Sequence, residues 1–152
     1  MKSMLNIRKA NLQDIPPLSV LFNDYRIFYR QVPDLTAAET FLAARLQAQE
    51  SVIFVAESAG ELIGFTQLYP TFCSVACAPY FVLYDLFVAK SGRRNGVAEA
   101  LLKAAADCAS EQGADRLELA TAIDNTQAQE LYEKCGWELD QTFFHYVLPI
   151  AG

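Results

Sequence analysis

The feature that most limits what this chain can fold into is a strand, a polar loop and a helix that follow one another near its middle. Residues 80–88 are almost entirely aromatic, β-branched or otherwise apolar, which is typical of a buried strand. Residues 90–96 read Lys-Ser-Gly-Arg-Arg-Asn-Gly, a polar loop interrupted twice by glycine. Residues 97–110 are rich in alanine and repeat apolar side chains at helical spacing. The sequence therefore predicts a β-loop-α unit here.

A glycine-containing loop in this position is suited to binding an anion. The first backbone N–H groups of a helix are unpaired and lie at the positive end of its dipole. Arg93 and Arg94 add positive charge, Gly96 lets a ligand approach the backbone, and Ala98 keeps the first turn open. A diphosphate would fit these groups, whereas the P-loop and dinucleotide glycine motifs are absent. A loop that merely turns the chain is the alternative, and it stays open at this point.

The other segments predict one continuous domain over residues 1–152 with a mixed α/β fold of α+β type. Helix caps, proline positions and changes of hydrophobic period set their limits. The expected elements are a strand at 5–8, a helix from the caps Asn11 and Asp14 towards Arg30, a helix at 37–49 capped by Thr36, strands at 52–56 and 62–69, a loop or irregular edge at 70–79, a strand at 117–120, a helix at 128–134 stopped by Gly136, and strands around 137–139 and 143–148.

Composition and charge exclude several classes of protein. A net charge of -6 and a pI near 4.7 argue against a nucleic-acid binder, which would carry a basic patch. No apolar run suits a secretory signal or a membrane span, so we expect a cytoplasmic protein with no membrane partner. The four cysteines have no zinc-binding spacing and the chain has one histidine, so we expect no metal and reduced, mostly buried thiols.

Two separate motifs carry a resemblance to a known family. Residues 83–88 (Leu-Tyr-Asp-Leu-Phe-Val), followed by 93–98 (Arg-Arg-Asn-Gly-Val-Ala), resemble the acyl-CoA motif of the GNAT superfamily of N-acetyltransferases. Asn125 ahead of residues 131–137 (Leu-Tyr-Glu-Lys-Cys-Gly-Trp) is similar to the family's second signature, and residues 7–10 resemble how such chains begin. The chain is thus identified as resembling this family over nearly its whole length.

The resemblance implies a fold and a cosubstrate. The expected fold is a central, mostly antiparallel sheet that splays open between strands four and five and is flanked by about four helices. The expected cosubstrate is acetyl-CoA: amides of residues 94–98 would bind its diphosphate, Arg93 would help to form the loop, and the backbone of residues 86–88 would pair with the pantetheine arm. Asn125 would start the last helix and contact CoA. The implied CoA-binding residues are Leu86, Phe87, Val88, Arg93, Arg94, Asn95, Gly96, Val97, Ala98 and Asn125.

The same resemblance suggests how an amine would attack the thioester. Tyr132 stands at the family's position for the general acid that protonates the CoA sulfur; the alternative is a tyrosine packed in the core. A backbone N–H near Phe87 or Val88 would bind the oxyanion. Asp85 would bind the substrate ammonium or accept its proton through water. A buried or edge carboxylate that satisfies neighbouring backbone donors is an equally good interpretation of Asp85.

Candidate substrate residues lie in the first helix and in the central strand. Tyr25, Arg26 and Tyr29 match the region that lines the acceptor site in this family, although a helix face packed on the sheet would have the same composition. Tyr84 stands where polyamine-type enzymes carry a second acid. Because side chains alternate along a strand, Tyr84 and Asp85 can face one pocket only if a β-bulge separates them.

These observations predict an N-acetyltransferase that moves an acetyl group from acetyl-CoA to a primary amine of a small molecule or peptide by direct attack. The alternative is a non-catalytic acyl-CoA-binding or sensing domain. A third interpretation is an interaction module whose aromatic segment at residues 143–146 pairs with a second copy, and such a homodimer is compatible with catalysis. Polyamines, aminoglycosides, amino acids, protein N-termini and lysines all remain open as acceptors.

Overall fold

Five strands and four α-helices make up the regular structure of residues 4–151, the part of the chain that the computed structural model describes. The strands are β1 (Leu5–Lys9), β2 (Val52–Ser58), β3 (Glu61–Cys73), β4 (Ala78–Val88) and β5 (Leu117–Glu118), and the helices are α1 (Ile15–Phe28), α2 (Leu35–Gln47), α3 (Val97–Glu111) and α4 (Thr126–Lys134). Short 3₁₀ turns occupy Leu12–Asp14 and Lys90–Gly92. This architecture confirms the predicted mixed α/β class.

The sheet has the order β1-β2-β3-β4-β5. Its first four strands are antiparallel neighbours, whereas β5 runs parallel to β4. β5 pairs with β4 only at Phe81 and Val82, although β4 continues to Val88. The predicted splay between the fourth and fifth strands is therefore present, because residues 83–88 have no strand on that side within residues 4–151.

Helices cover both faces of the sheet. Leu18 and Phe22 of α1, with Leu42 of α2, pack against Val55 and Phe65 on one face. α3 lies on the other face, and its residues Val97, Leu101, Leu102, Ala105, Cys108 and Ala109 are buried. An alanine-rich helix with one apolar face gains most of its stability from such packing. The first unit of the chain, up to Ala120, thus contains the whole sheet and three of the helices.

The start of α1 follows the predicted capping residues. Asn11 accepts a hydrogen bond from Gln13 N, and Asp14 accepts one from Asn11 N. Arg8 of β1 bonds both oxygens of Asp14 at 2.8 Å and also pairs with Glu57 of β2 at 2.7 Å. The Arg8 hydrogen bonds hold the pKa of the Asp14 carboxyl below its ordinary value. Because the charged form is favoured, this link between strand and helix is strongest above the ordinary aspartate pKa and weakens in acid.

The cap of the second helix was predicted at the wrong residue. Asp34, not Thr36, is the N-cap of α2, and its carboxylate accepts a hydrogen bond from Ala37 N at 3.0 Å. The helix therefore starts two residues earlier than expected, at Leu35. Aspartate and threonine are both good N-caps, so local sequence did not separate them.

The prediction of a loop or irregular edge at residues 70–79 is wrong as well. β3 and β4 extend through most of it and leave only residues 74–77 as the hairpin tip. The two prolines that suggested a loop, Pro70 and Pro79, sit opposite Phe81 and Phe72. At those positions the backbone nitrogen points away from the partner strand, because Phe81 N donates in the other direction, to Arg116 O. The missing proline N–H groups therefore cost the hairpin no hydrogen bond.

The unit that begins at Thr121 contains α4 and a C-terminal segment without regular secondary structure. The two strands predicted around 137–139 and 143–148 are not formed, since no backbone partner pairs with them among the described residues. A strand needs such a partner to satisfy its amides. The segment instead exposes large apolar side chains, which are Leu139, Phe143, Phe144, Tyr146, Val147, Leu148 and Ile150.

The cysteine prediction holds only in part. All four cysteines are free, but Cys108 alone is buried, while Cys77 and Cys135 are exposed and Cys73 is half-buried. Cys77 lies at the hairpin tip and Cys135 directly follows α4, where neither can reach a core. No helix of residues 4–151 is both long and apolar enough for a membrane span.

Candidate active site

Five of the predicted site residues, Tyr84 to Val88, lie on β4, and a β-bulge orients the first two of them. The register with β3 pairs Leu83 with Leu68 and Asp85 with Gln67, so Tyr84 is an extra residue without a partner. The bulge places Tyr84 and Asp85 on the same face of the sheet, the one covered by α1. The tyrosine ring contacts Tyr69 of the same face, with ring centroids 5.7 Å apart. The structure thus meets the condition under which both side chains can serve one pocket.

Asp85 is a buried carboxylate, with only 4% of its surface exposed. Its Oδ2 accepts a hydrogen bond from Gln67 Nε2 at 2.8 Å, and its main-chain oxygen accepts one from Thr66 Oγ1 at 2.7 Å. The hydroxyl of Tyr25 also favours the ionised form of this carboxylate. The interpretation of Asp85 as a carboxylate that satisfies backbone donors is therefore not supported, because the donor bonded to its side chain is the amide of Gln67.

Tyrosines of three elements surround this carboxylate. Tyr25 of α1 donates from its hydroxyl to Tyr84 O at 3.4 Å, and its ring packs edge-on against Phe65 and Phe87. Tyr69 of β3 and Tyr84 of β4 contribute the other rings. Tyr84 is the most exposed of the three, with 68% of its surface accessible, so it lies on the solvent side of the cluster. Aromatic faces beside a carboxylate are a favourable setting for a cation.

The pKa values around Asp85 shift together. Burial raises the pKa of Asp85, and the Gln67 amide and the Tyr25 hydroxyl oppose that shift because they favour the ionised form. Burial also raises the pKa of Tyr69 to about 12, with the charge of Asp85 adding to the effect. The pKa of Tyr25 rises for the same two reasons. The phenols of Tyr25 and Tyr69 therefore stay neutral at ordinary pH.

On the side of β4 that faces away from β3, residues 83–88 have no partner strand within residues 4–151. Ala89 N donates to Ile63 O of β3, and the ladder alternates from there back to Asp85. The amide of Phe87 consequently points towards β3, while those of Leu86 and Val88 point to the open edge. Of the two amides predicted to bind an oxyanion, only the Val88 amide is thus directed away from the sheet's own ladder.

The loop before α3 presents a second set of unpaired amides. Arg94 and Gly96 both adopt left-handed backbone conformations, with φ of 65° and 72°. No backbone carbonyl or side chain within residues 4–151 accepts from the N–H groups of residues 94–98. A Cβ added at Gly96 would meet nothing within 4 Å, so the space above the loop is open. These are the features expected of an anion-binding helix N-terminus.

Two contacts fix this loop beside the open end of β4. Gly64 of β3 lies so close to its neighbours that an added Cβ would be 3.0 Å from Phe87 O and 3.2 Å from a Val97 methyl group. The glycine therefore allows the first residue of α3 to approach the sheet where β4 ends. Arg93 donates from Nε to Val88 O at 3.2 Å, which agrees with its predicted part in forming the loop.

The remaining predicted residues of the first helix are placed less closely to Asp85. Tyr29 contacts the rings of Tyr25 and Phe28 and is about half exposed. Arg26 is half-buried, and its Nη1 atom has no hydrogen-bond partner in the described part of the chain. Tyr25 is therefore the residue of this group that the structure brings to the carboxylate.

Two predicted residues belong to the second unit. Asn125 is the N-cap of α4, and its Oδ1 accepts a hydrogen bond from Ala128 N at 3.2 Å, as expected for a residue that starts a helix. Tyr132 lies in the last turns of α4, is half-buried, and has its ring 6.1 Å from that of Trp137. His145, to which no role is assigned, is exposed and 3.9 Å from Asp140.

Sequence reasoning missed the polar residues that hold Asp85. Gln67 is fully buried and Ser51 nearly so, and Ser51 Oγ donates to Gln67 Oε1 at 2.8 Å. A signal was available: Thr66 and Gln67 are adjacent polar residues inside an otherwise apolar strand, and both faces of a central strand are buried. Such residues need buried hydrogen-bond partners.

Comparisons with known proteins identify the family of this chain. The sequence model described as Acetyltransferase (GNAT) family matches residues 18–137. The chain is 50% identical over 148 residues to the uncharacterized N-acetyltransferase YhfO of Bacillus subtilis, which covers 97% of this chain and 99% of that protein. It is 32% identical over 104 residues to a probable acetyltransferase of Haemophilus influenzae, covering 68% and 71% of the two chains.

Solved structures show the same fold. The crystal structure of a probable acetyltransferase superposes with a TM-score of 0.93 and 39% identity, covering 97% of this chain and 99% of the other. An aminoglycoside N-acetyltransferase in complex with CoA gives a TM-score of 0.82 over 99% and 98% of the two chains, at 23% identity. The fold and the family match define an acyltransferase. The chain belongs to the GNAT family of acetyltransferases, whose members use acetyl-CoA.

Proposed function

We propose that this protein transfers an acetyl group from acetyl-CoA to a primary amine of a small molecule or peptide by direct attack, within a single domain spanning residues 1–152. The observation that carries the proposal is the arrangement of β4. One edge and the following loop present unpaired amides, while its α1 face presents a buried carboxylate among tyrosines. A group that binds CoA and a group that attracts an ammonium ion thus lie on one strand.

The open amides support acetyl-CoA as the donor. N–H groups of residues 94–98 would bind the diphosphate, with Arg94 adding charge and Gly96 leaving room for it. The amide of Leu86 would pair with the pantetheine arm as a missing strand would, and the Val88 amide would remain for the thioester oxygen. Asn125 would contribute a further CoA contact. Of the described residues, no cluster of three or more His, Cys, Asp or Glu side chains could hold a metal ion.

In the proposed reaction the ammonium group of the substrate binds at Asp85 and loses a proton to that carboxylate or to water. The amine nitrogen then forms a bond to the thioester carbonyl carbon, and the Val88 amide stabilises the oxyanion. When the C–S bond breaks, Tyr132 gives its phenolic proton to the departing CoA sulfur. The attacking nitrogen loses its second proton to water, and Tyr132 regains a proton from solvent. Tyr25, Arg26, Tyr29 and Tyr84 would form the wall of the acceptor pocket.

The proposal is tested by measuring thiol release from acetyl-CoA across a panel that includes polyamines, aminoglycosides, amino acids and peptides. We expect amine-dependent release by the wild-type protein and a loss of about 100-fold or more in Tyr132→Phe, since general acid catalysis contributes roughly 10²–10⁴-fold. CoA binding should be unchanged in the variant. CoA binding without release for any amine would instead favour a non-catalytic acyl-CoA-binding domain, and unchanged turnover in Tyr132→Phe would remove that residue from the mechanism.

We also propose that the protein is cytoplasmic and forms a homodimer in which a second copy covers the C-terminal segment. Seven large apolar side chains between Leu139 and Ile150 are at least 72% exposed. Runs of exposed apolar residues with strand-forming sequence are typical of interaction sites. Light scattering should give the mass of two chains, and a monomer at micromolar concentration would contradict the dimer.

A further inference from the structure

A chain of buried polar groups lies beneath the carboxylate of Asp85. Gln67 is 0% exposed and Ser51 is 9% exposed. Burying a glutamine amide in a central strand is costly unless both of its ends are hydrogen-bonded. Here both ends are bonded, to Ser51 on one side and to Asp85 on the other, each at 2.8 Å. The sheet thus holds a polar residue that needs two hydrogen-bond partners, at a position where an apolar residue would need none.

The direction of these hydrogen bonds is set by their chemistry. An ionised carboxylate can only accept, so the amide must present Nε2 to Asp85 Oδ2. The amide oxygen of Gln67 then faces Ser51, whose hydroxyl donates to it. Ser51 precedes β2, Gln67 lies in β3 and Asp85 in β4, so the chain of donors crosses three neighbouring segments of the sheet. Such a network holds each member in one orientation.

We propose that Gln67, oriented by Ser51, is a positioning residue that fixes the Asp85 carboxylate for binding the ammonium group of the acceptor. The inference rests on the proposed function, since it assigns a role within the same site. By occupying Oδ2, Gln67 leaves Oδ1 as the carboxylate oxygen that receives the substrate ammonium.

The amide also influences the charge of the carboxylate. Its hydrogen bond favours the ionised form, so replacing it by an apolar side chain should raise the pKa of Asp85 further. The protonated acid does not attract an ammonium ion, and the acid side of the pH profile should therefore move to higher pH. The other titratable or charged groups that face this cluster are Tyr25 and Tyr29 of α1, Arg45 of α2, Tyr69 of β3 and Tyr84 of β4. All of them are retained in the variants below.

The test compares Gln67→Leu, Ser51→Ala and Thr66→Val with the wild-type protein in steady-state acetylation of the best amine from the panel. Thr66 is the matched control, because it is equally buried, neighbours Gln67 on β3 and bonds only the main chain of Asp85. For Gln67→Leu we expect the KM of the amine to rise about tenfold and the acid limb of kcat/KM to move up by roughly one pH unit. Ser51→Ala should show the same changes, about half as large. Ser51→Thr keeps the hydroxyl and should therefore have the wild-type KM and acid limb.

A purely structural role for Gln67 would lower the melting temperature without moving the acid limb. A folded Gln67→Leu protein whose acid limb and amine KM match the wild type would overturn the inference, as would Thr66→Val producing the same shift. If Gln67→Leu does not fold, the test is made with Ser51→Ala, and a wild-type amine KM and acid limb in that variant would overturn the inference. The titration of the Asp85 carboxyl by ¹³C NMR reads the same effect without turnover. This readout separates the inference from the proposed function, which fails if the wild-type protein releases no thiol with any amine.

Discussion

The two edges of β4 differ in almost every respect. On one side the strand is paired with β3 from Ala78 to Val88, and a bulge at Tyr84 turns Asp85 into a buried cluster. On the other side β5 pairs with Phe81 and Val82, and residues 83–88 have no partner strand within residues 4–151. The paired edge positions side chains, whereas the open edge offers backbone. The comparison teaches that one strand can serve two substrates, because an acceptor is recognised by a fixed charge and a CoA arm by unpaired amides.

The largest expected effect comes from removing the charge of Asp85, whose position is set by the pairing of β4 with β3. Asp85→Asn should lower kcat/KM for the amine by about 100-fold or more, because truncating one partner of a buried ion pair costs roughly 2–5 kcal/mol. The Kd of CoA should stay the same, since the variant leaves the open edge intact. Steady-state kinetics and calorimetric CoA titration measure the two quantities, with the exposed Asp24→Asn as the matched charge control.

The same variant should stabilise the fold at neutral pH. Because burial raises the pKa of Asp85, the cost of its charge is absent below the ordinary aspartate pKa of about 4 and appears as pH rises through the raised value. Thermal unfolding at pH 7 should therefore give a higher Tm for Asp85→Asn, and the difference should vanish in acid. Loss of CoA affinity in Asp85→Asn would contradict the assignment of Asp85 to the acceptor and of the open edge to CoA.

A smaller effect is expected at the loop that continues the open edge. Gly96 and Gly113 flank α3, both have φ of 72°, and neither has an atom within 4 Å of an added Cβ. Valine at either position should destabilise the protein equally, by about 1–2 kcal/mol for the left-handed backbone. Only Gly96→Val should also weaken CoA binding, by about tenfold, which corresponds to roughly 1.4 kcal/mol.

The pair of glycine variants separates strain from ligand contact. Calorimetric titration with CoA gives the Kd, and chemical denaturation gives the free energy of unfolding. Equal loss of CoA affinity in Gly96→Val and Gly113→Val would assign the effect to a strained helix, and the loop would then have no special part in binding.

Much of the fold and the order of the site elements could be predicted from the sequence. The β4-loop-α3 unit has a change of period and two glycines, and these signals are local. The splay of the sheet came from the family resemblance, and the register confirms it at Phe81 and Val82. The anion-binding loop could also be predicted from local signals, because its chemistry lies in the backbone of consecutive residues.

The side-chain site was harder to predict because it depends on pairings between distant residues. The bulge at Tyr84 is defined only by the register of β4 against β3, and no residue type signals it. Gln67 and Ser51 lie 18 and 34 positions from Asp85 and reach it only once the sheet has formed. The strands predicted around 137–139 and 143–148 had suitable patterns, but a pattern does not supply the backbone partner that a strand requires.

Amide hydrogen exchange followed residue by residue with NMR, with and without saturating CoA, tests the central claim most directly. Without ligand, the amides of Leu86 and Val88 should exchange quickly and that of Phe87 slowly, because only Phe87 faces β3. With CoA, exchange should slow at Leu86, Val88 and residues 94–98 and stay unchanged at Phe87. Bound CoA that leaves those amides exchanging at their free rates would contradict the assignment of the open edge of β4 as the CoA site.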